Sequence, residues 1–327
     1  MKKYIGSFLF LLIALAAFSL CGCGPSMVRG TSYADSDTYD VGNFTYNADE
    51  ISSLEINWVV GNISVVQSDA PTLSVCENGT DLQDSQRLRY RIKDGTLRIE
   101  FWASGLSSAI SSGQKSLTVE VPHGIALKIN NENGTICADS LGTQSAELGT
   151  ASGDIRIGSL TADAVSLSSA SGQIDVQSAS VSGDMNADTV SGNLHIDTLS
   201  ARSAVLRSTS GGIRTGSAVL TDSMQAGTVS GEVRIASLAA TKAEVASESG
   251  DILLSLARCE EAEIDGDSSL VTLTLLSDLG ATVTHHSTTG SMQTGLLCSF
   301  SSENCSVFGN GACRITVVTK SGDLRVR

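Results

Sequence analysis

Between residues 134 and 254, apolar side chains come in pairs separated by one polar residue, and the pairs return on a fixed beat. One set reads Ile155/Ile157, Ile174/Val176, Leu194/Ile196, Val233/Ile235 and Ile252/Leu254. The other reads Ala146/Leu148, Val165/Leu167, Met185/Ala187, Ala204/Leu206, Met224/Ala226 and Ala243/Val245. Alternation at period two predicts strands with one buried face. Glycines fall between the sets at Gly134, Gly153, Gly172, Gly192, Gly211, Gly231 and Gly250, six of them in phrases such as the Ser-Gly-Asp-Ile-Arg-Ile of 152–157.

The beat of 19 or 20 residues is too short for a unit with its own core, so it predicts an all-β solenoid. Equivalent strands of successive rungs should stack in parallel, about 4.8 Å apart; the coil is expected to be right-handed. Inward columns of Ile, Val and Leu supply about 1.5–3 kcal/mol per buried side chain. The glycine column provides a turn where a Cβ would not fit. Leu160, Leu199 and Leu238 are expected at the corner between the two segments. Thr215 is the one polar entry in a column of Ile and Val, which marks the loosest rung.

The same register extends beyond the obvious phrase. Leu54/Ile56 precede Gly61 and Ile63/Val65 follow it, Leu127/Ile129 precede Gly134, and Ile315/Val317 precede Gly322. The repeat domain is therefore expected over 41–327, with insertions near 77–120 and 295–311. The first insertion carries strands over 88–92 and 96–101 around an Asp94-Gly95 hairpin turn, then a Ser-rich loop over 103–116. Residues 258–290 keep apolar pairs (Ala262/Ile264, Val271/Leu273, Ala281/Val283) without the Ser-Gly phrase.

The first 22 residues read as an export signal, with Lys2 and Lys3 ahead of an apolar run to Leu20 that is short for a membrane span. Leu20-Cys21-Gly22-Cys23 is similar to the bacterial lipoprotein signal, which places diacylglycerol on Cys23 after cleavage behind Gly22. An ordinary secretory signal or an uncleaved anchor is the alternative. Acyl chains bind through about 0.8 kcal/mol per buried CH₂. Residues 24–40, rich in Ser, Asp, Gly and Thr, read as a flexible tether.

The repeated Ser-Gly-Asp-Ile phrase, the run Val121-Pro-His-Gly-Ile-Ala-Leu127 leading to Asn133-Gly-Thr-Ile136, and the opening Ile51-Ser-Ser-Leu-Glu-Ile56 together resemble a bacterial family of β-strand repeats, domain of unknown function 4097, whose members are described as candidate adhesins. The resemblance covers about residues 41–327. It implies an exported or membrane-attached protein, commonly of Gram-positive bacteria, and carries no catalytic residues across.

Composition narrows the partners. The formal net charge is −14, and loss of Lys2 and Lys3 would leave 19 basic against 35 acidic residues. Such a chain is repelled by nucleic acid and by anionic lipid. Cell-wall polymer, a cationic peptide or another surface protein remain as partners, beside the membrane reached through the lipid.

Catalytic and metal chemistry are sparse. The residue after each glycine runs Asp154, Gln173, Asn193, Gly212, Glu232, Asp251, which describes a turn and not a calcium ladder. No cysteine pair has C-x₂-C spacing, and His285-His286 would face opposite sides of a strand. No metal or cofactor is expected. Cys298, Cys305 and Cys313 could supply one disulfide closing the second insertion, or stay free thiols. One outward column reads Arg156, Asp175, His195, Arg214, Arg234, Leu253. It is either a stripe for an anionic polymer (Arg156, His195, Arg214, Arg234) or a plain solvated face. The expectation is a non-enzymatic lipoprotein for adhesion, envelope binding or envelope-stress sensing. A carbohydrate-active enzyme on a β-helix scaffold and a passive spacer are the alternatives.

Overall fold

The computed structural model describes residues 32–106, 115–276 and 279–327. The expected signal and Cys23 lie outside them. Between Ile155 and Gly266 each rung folds as a longer strand followed by a shorter one, such as Ile155–Ala162 then Ala164–Ser169. The longer strands of these rungs join one sheet and the shorter ones another, so the chain is a β-solenoid with two walls. Register between rungs is parallel and matches the sequence beat: Ile136, Ile155, Ile174, Leu194, Ile213, Val233, Ile252 and Val271 pair in turn. All eight are buried, as are their counterparts Leu148, Leu167, Ala187, Leu206, Ala226, Val245 and Ile264 on the opposite wall.

Three expectations change in detail. In Ile155–Ala162 the buried residues are Ile155, Ile157, Leu160 and Ala162, so one three-residue step interrupts the alternation. Leu160 thus lies just past a kink inside the long strand, and the corner between the sheets comes after Ala162. Lys115 and Ser116, expected in a loop, open the strand Lys115–Pro122; residues 107–114 of that run lie outside the described residues. Residues 32–40, expected to be tether, lie on the domain. Tyr33 donates its hydroxyl proton to the Trp102 carbonyl (2.9 Å), and Arg91 reaches Asp35 (3.1 Å).

The rung order is sequential only in the middle. At the N-terminal end, Ser53–Val60 and Ile63–Ser68 pair with Ala126–Asn133 and Ile136–Gly142, while the later strands Thr96–Glu100 and Lys115–Pro122 stack outside them. At the other end, the last strands Cys313–Thr319 and Leu324–Val326 slide between Glu261–Gly266 and Ala281–Ser287 on one wall and between Val271–Leu275 and Met292–Thr294 on the other. Antiparallel strands lie outside these: Arg89–Lys93 and Thr72–Gly79 at the N-terminal end, and Cys305–Phe308 on one wall at the other, where Met292–Thr294 is the edge of the second wall. Such cover protects sheet edges that every solenoid must manage.

The glycine column packs backbone on backbone. A Cβ on Gly172 would overlap the Gly153 carbonyl oxygen, far inside van der Waals contact distance, and the same holds rung by rung from Gly134 on Gly61 to Gly250 on Gly231. Gly322 stacks on Ser269, and Gly290 on Gly322.

Beside the glycines runs a buried hydroxyl column: Thr150, Ser169, Thr189, Ser208, Thr228 and Ser247. Ser208 donates to the Gly192 carbonyl (3.2 Å) and accepts the Gly211 N–H (2.8 Å), and Thr189, Thr228 and Ser247 repeat both bonds. From Ser169 to Ser247 each hydroxyl therefore satisfies two backbone groups of the turns, while Thr150 makes only the bond to the Gly134 carbonyl (3.3 Å).

The N-terminal cap holds a buried ion pair. Lys115 lies 2.6 Å from Glu77, and its ammonium donates to the carbonyls of Gln86 (2.7 Å) and Phe101. It stands over the rings of Phe101 (3.9 Å) and Trp58 (4.8 Å). Burial lowers the lysine to about 8 against the raising effect of Glu77.

Candidate functional site

The outward column predicted from sequence is real as a ladder: Arg156, Asp175, His195, Arg214, Arg234 and Leu253 pair in register. Its charges are answered on the same wall. Arg156 meets Asp154 (2.6 Å), His195 stands between Asp175 (3.2 Å) and Asp197 (3.0 Å), and Arg214 reaches Glu232 (3.9 Å). Among the described residues only Arg234 of this stripe has no ion pair. A polyanion needs an unbroken positive potential, and this face alternates sign.

The residues after the glycines cap the neighbouring rung. Asp154 accepts the Gln173 N–H (2.9 Å), Asn193 that of Gly212 (2.9 Å) and Asp251 that of Leu270 (3.1 Å). Of the two adjacent histidines, His285 is buried against the Thr319 hydroxyl (3.0 Å) and His286 is exposed. The six described cysteines are free. Among the described residues no cluster of three or more His, Cys, Asp or Glu is placed to hold a metal ion.

A cleft of about 430 Å³ lies on the shorter-strand wall where the N-terminal cap meets the repeats. Its floor is a row set by register: Glu100, Asn57, Asn130 and Gly149 occupy equivalent outward positions on four adjacent strands. Asn57 donates to Glu100 (3.0 Å) and accepts from Asn130 (3.3 Å), so the row is hydrogen-bonded along its length. Gly149 contributes no side chain, which leaves the floor open beyond Asn130.

The next row outward is an alternating charge ladder. Arg98 grips Glu55 with two nitrogens (2.8 and 3.0 Å), and Lys128 meets Glu147 (2.8 Å). Residues 32–34 form the opposite wall. Tyr33 is anchored there through its N–H to Ser104 (3.0 Å) and by packing of its ring on Tyr39 (4.7 Å).

Burial shapes the titration of the cleft. The Glu100 carboxyl, 3% exposed, is pushed above its ordinary value by desolvation, against the lowering effect of Asn57 and of Arg98 at 3.9 Å. Desolvation also raises Glu132, at the cleft mouth, and lifts the Tyr33 hydroxyl to about 12. Arg98 is held firmly charged by its bonds to Glu55.

The lining contains no histidine, cysteine or lysine. What it offers is amide donors and acceptors, carboxyl groups and a tyrosine edge at strand spacing, a set suited to hydroxyl and amino groups of an extended ligand. Sequence reasoning missed this cleft, because its floor comes from strands up to 92 positions apart in register and its wall from the stretch read as tether.

Residues 45–196, and again 163–327, match the sequence profile of the family described as Toastrack DUF4097. No curated protein matches the chain. Among solved structures, a candidate cell adhesion protein from Clostridium sporogenes ATCC 15579 is 10% identical, with 88% of this chain and 98% of that one covered and a TM-score of 0.24. A candidate adhesin from Bacteroides fragilis NCTC 9343 is 13% identical, with 88% and 97% covered and a TM-score of 0.37.

Proposed function

The chain belongs to the Toastrack DUF4097 family, and from that premise we propose that it is a non-enzymatic cell-surface binding module, held to the membrane by lipid on Cys23 and binding glycan in the N-terminal cleft. The observation that carries the reading is the hydrogen-bonded row that runs from buried Glu100 through half-buried Asn57 to exposed Asn130, beside Tyr33. The ligand class follows from charge. Arg98 is already taken up by Glu55, and two carboxyl groups face the cleft. A neutral or amino-bearing glycan of the cell envelope therefore fits better than a polyanion.

The test is calorimetric titration of the exported domain with neutral and amino-sugar oligomers. Binding that falls at least tenfold in Asn130→Ala, with unchanged circular dichroism, supports the cleft. Equal binding by wild type and variant refutes it. For the anchor, Cys23→Ala should release the protein into the medium, and retention on membranes would count against lipidation.

One observation favours a glycan-cleaving enzyme as the second reading: Glu100 and Glu132 line one cleft and both have raised carboxyl pKa values. Shortening of the oligomers in the same titration, lost in Glu132→Gln, would establish it in place of the binding module.

A further inference from the structure

At the corner where the long strand hands over to the shorter one, an inward column runs through the solenoid: Ala162, Val181, Ala201, Leu220 and Ala240, all buried. The next entry is Cys259, and Cys313 lies on the following rung one residue out of register with it, opposite Glu260; the two are 6% and 0% exposed. They sit on neighbouring rungs, because Glu261–Gly266 pairs in parallel with Cys313–Thr319 and the Arg314 N–H donates to the Glu260 carbonyl at 2.9 Å. A strand spacing of about 4.8 Å combined with a one-residue offset of about 3.3 Å puts such a diagonal pair about 6 Å apart, within the Cα separation that a disulfide spans. Both side chains lie in the same buried core, where each shifts the other's titration.

We propose that Cys259 and Cys313 form a disulfide that staples the inserted C-terminal rung into the solenoid. The position gives the bond a task. Cys313 opens the strand that the chain threads back between Glu261–Gly266 and Ala281–Ser287, and a bridge to Cys259 fixes this out-of-order strand to the last sequential rung.

The chemistry balances with a small-molecule disulfide as oxidant. Cys259 is the attacking sulfur. The neighbouring Cys313 lowers the Cys259 thiol, while Cys259 and burial raise Cys313. Cys259 keeps 6% of its surface exposed and Cys313 none, so Cys259 is the thiol an oxidant reaches; its neighbours Arg258 and Glu260 line a cavity of about 190 Å³. The Cys259 thiolate attacks one sulfur of the oxidant, forming a mixed disulfide and releasing one thiolate, which takes the Cys313 proton. Cys313 then attacks the Cys259 sulfur and expels the second thiolate, which is protonated by the proton Cys259 gave up. Two protein thiols and one disulfide thus become one protein disulfide and two small thiols.

This pairing differs from both sequence readings, one disulfide within Cys298, Cys305 and Cys313 or free thiols. The test is to incubate the exported domain with oxidised glutathione, alkylate in urea and map peptides by mass spectrometry. The expected result is a cross-linked peptide pair containing Cys259 and Cys313, with a melting temperature about 5 °C or more higher that dithiothreitol reverses. Cys259→Ser should lose both effects. If that variant does not fold, the wild-type peptide map alone decides. Cys259 and Cys313 both remaining alkylatable, or a Cys298–Cys305 bridge in their place, would overturn the proposal.

Discussion

The hydroxyl of Ser169 accepts the backbone N–H of Gly172 at 2.8 Å and, from the same oxygen, donates to the carbonyl of Gly153 one rung earlier at 3.1 Å. Both backbone groups face the interior, so the loss of this oxygen leaves them unpaired. Ser169→Ala should cost about 1–3 kcal/mol in urea unfolding. Ser169→Thr should lose less than half of that, because Thr150, Thr189 and Thr228 hold the same place in other rungs. Equal losses for the two variants would show that packing, and not the hydroxyl, sets the effect.

Adjacent glycines separate close approach from turn preference. A Cβ on Gly211 would run into the Gly192 carbonyl, a backbone atom that cannot swing aside, whereas the nearest atom to a Cβ on Gly212 is 3.3 Å away. Gly211→Ala should destabilise by about 3 kcal/mol or more, or prevent folding. Gly212→Ala should stay within about 1 kcal/mol of wild type. Soluble expression and thermal melting of the pair measure the contrast.

Period two and the 19- or 20-residue beat made the walls legible, because they depend only on which side chains face inward. Gly61, Gly134 and Gly322 joined the column on spacing alone. The order of the end rungs was not legible: Ile315 and Val317 announce an inward strand, but nothing in them says that it slots in ahead of Ala281–Ser287. The hydroxyl column was in plain view as Ser/Thr three residues before each glycine, yet among so many serines it merged with the turn phrase. The cleft depends on Glu100, Asn57 and Asn130 meeting through that same end-rung rearrangement, so it stayed hidden for the same reason.

Thr215 is fully buried between Ile196 and Ile235, and its Oγ1 has no hydrogen-bond partner. An unpaired buried hydroxyl carries a desolvation cost that a methyl of the same shape does not. Thr215→Val should stabilise the protein by about 1 kcal/mol, raising the melting temperature by about 2–4 °C. A lower melting temperature would mean that the hydroxyl finds a partner in solution.

Acid stability should bear the mark of the cleft. Burial holds the Glu100 carboxyl above its ordinary value, so between the unfolded value near 4.5 and the higher folded one the native state keeps a proton that the unfolded chain has released. Stability from this group therefore falls as pH rises through that window and returns as pH drops toward 4.5. Asp188, half-buried, is raised by burial in the same direction and adds to the slope. Lys115 acts at the alkaline end with the opposite sign: its folded value of about 8 lies below the unfolded 10.5, so stability from it rises as pH climbs between them. Glu100→Gln keeps an acceptor for Asn57 and removes the buried charge. Its urea midpoint at pH 7 should equal or exceed that of wild type, and its gain on going from pH 7 to pH 5 should be smaller. Profiles of wild type and Glu100→Gln that run parallel from pH 5 to pH 8 at constant ionic strength would show that Glu100 titrates as an ordinary exposed carboxyl.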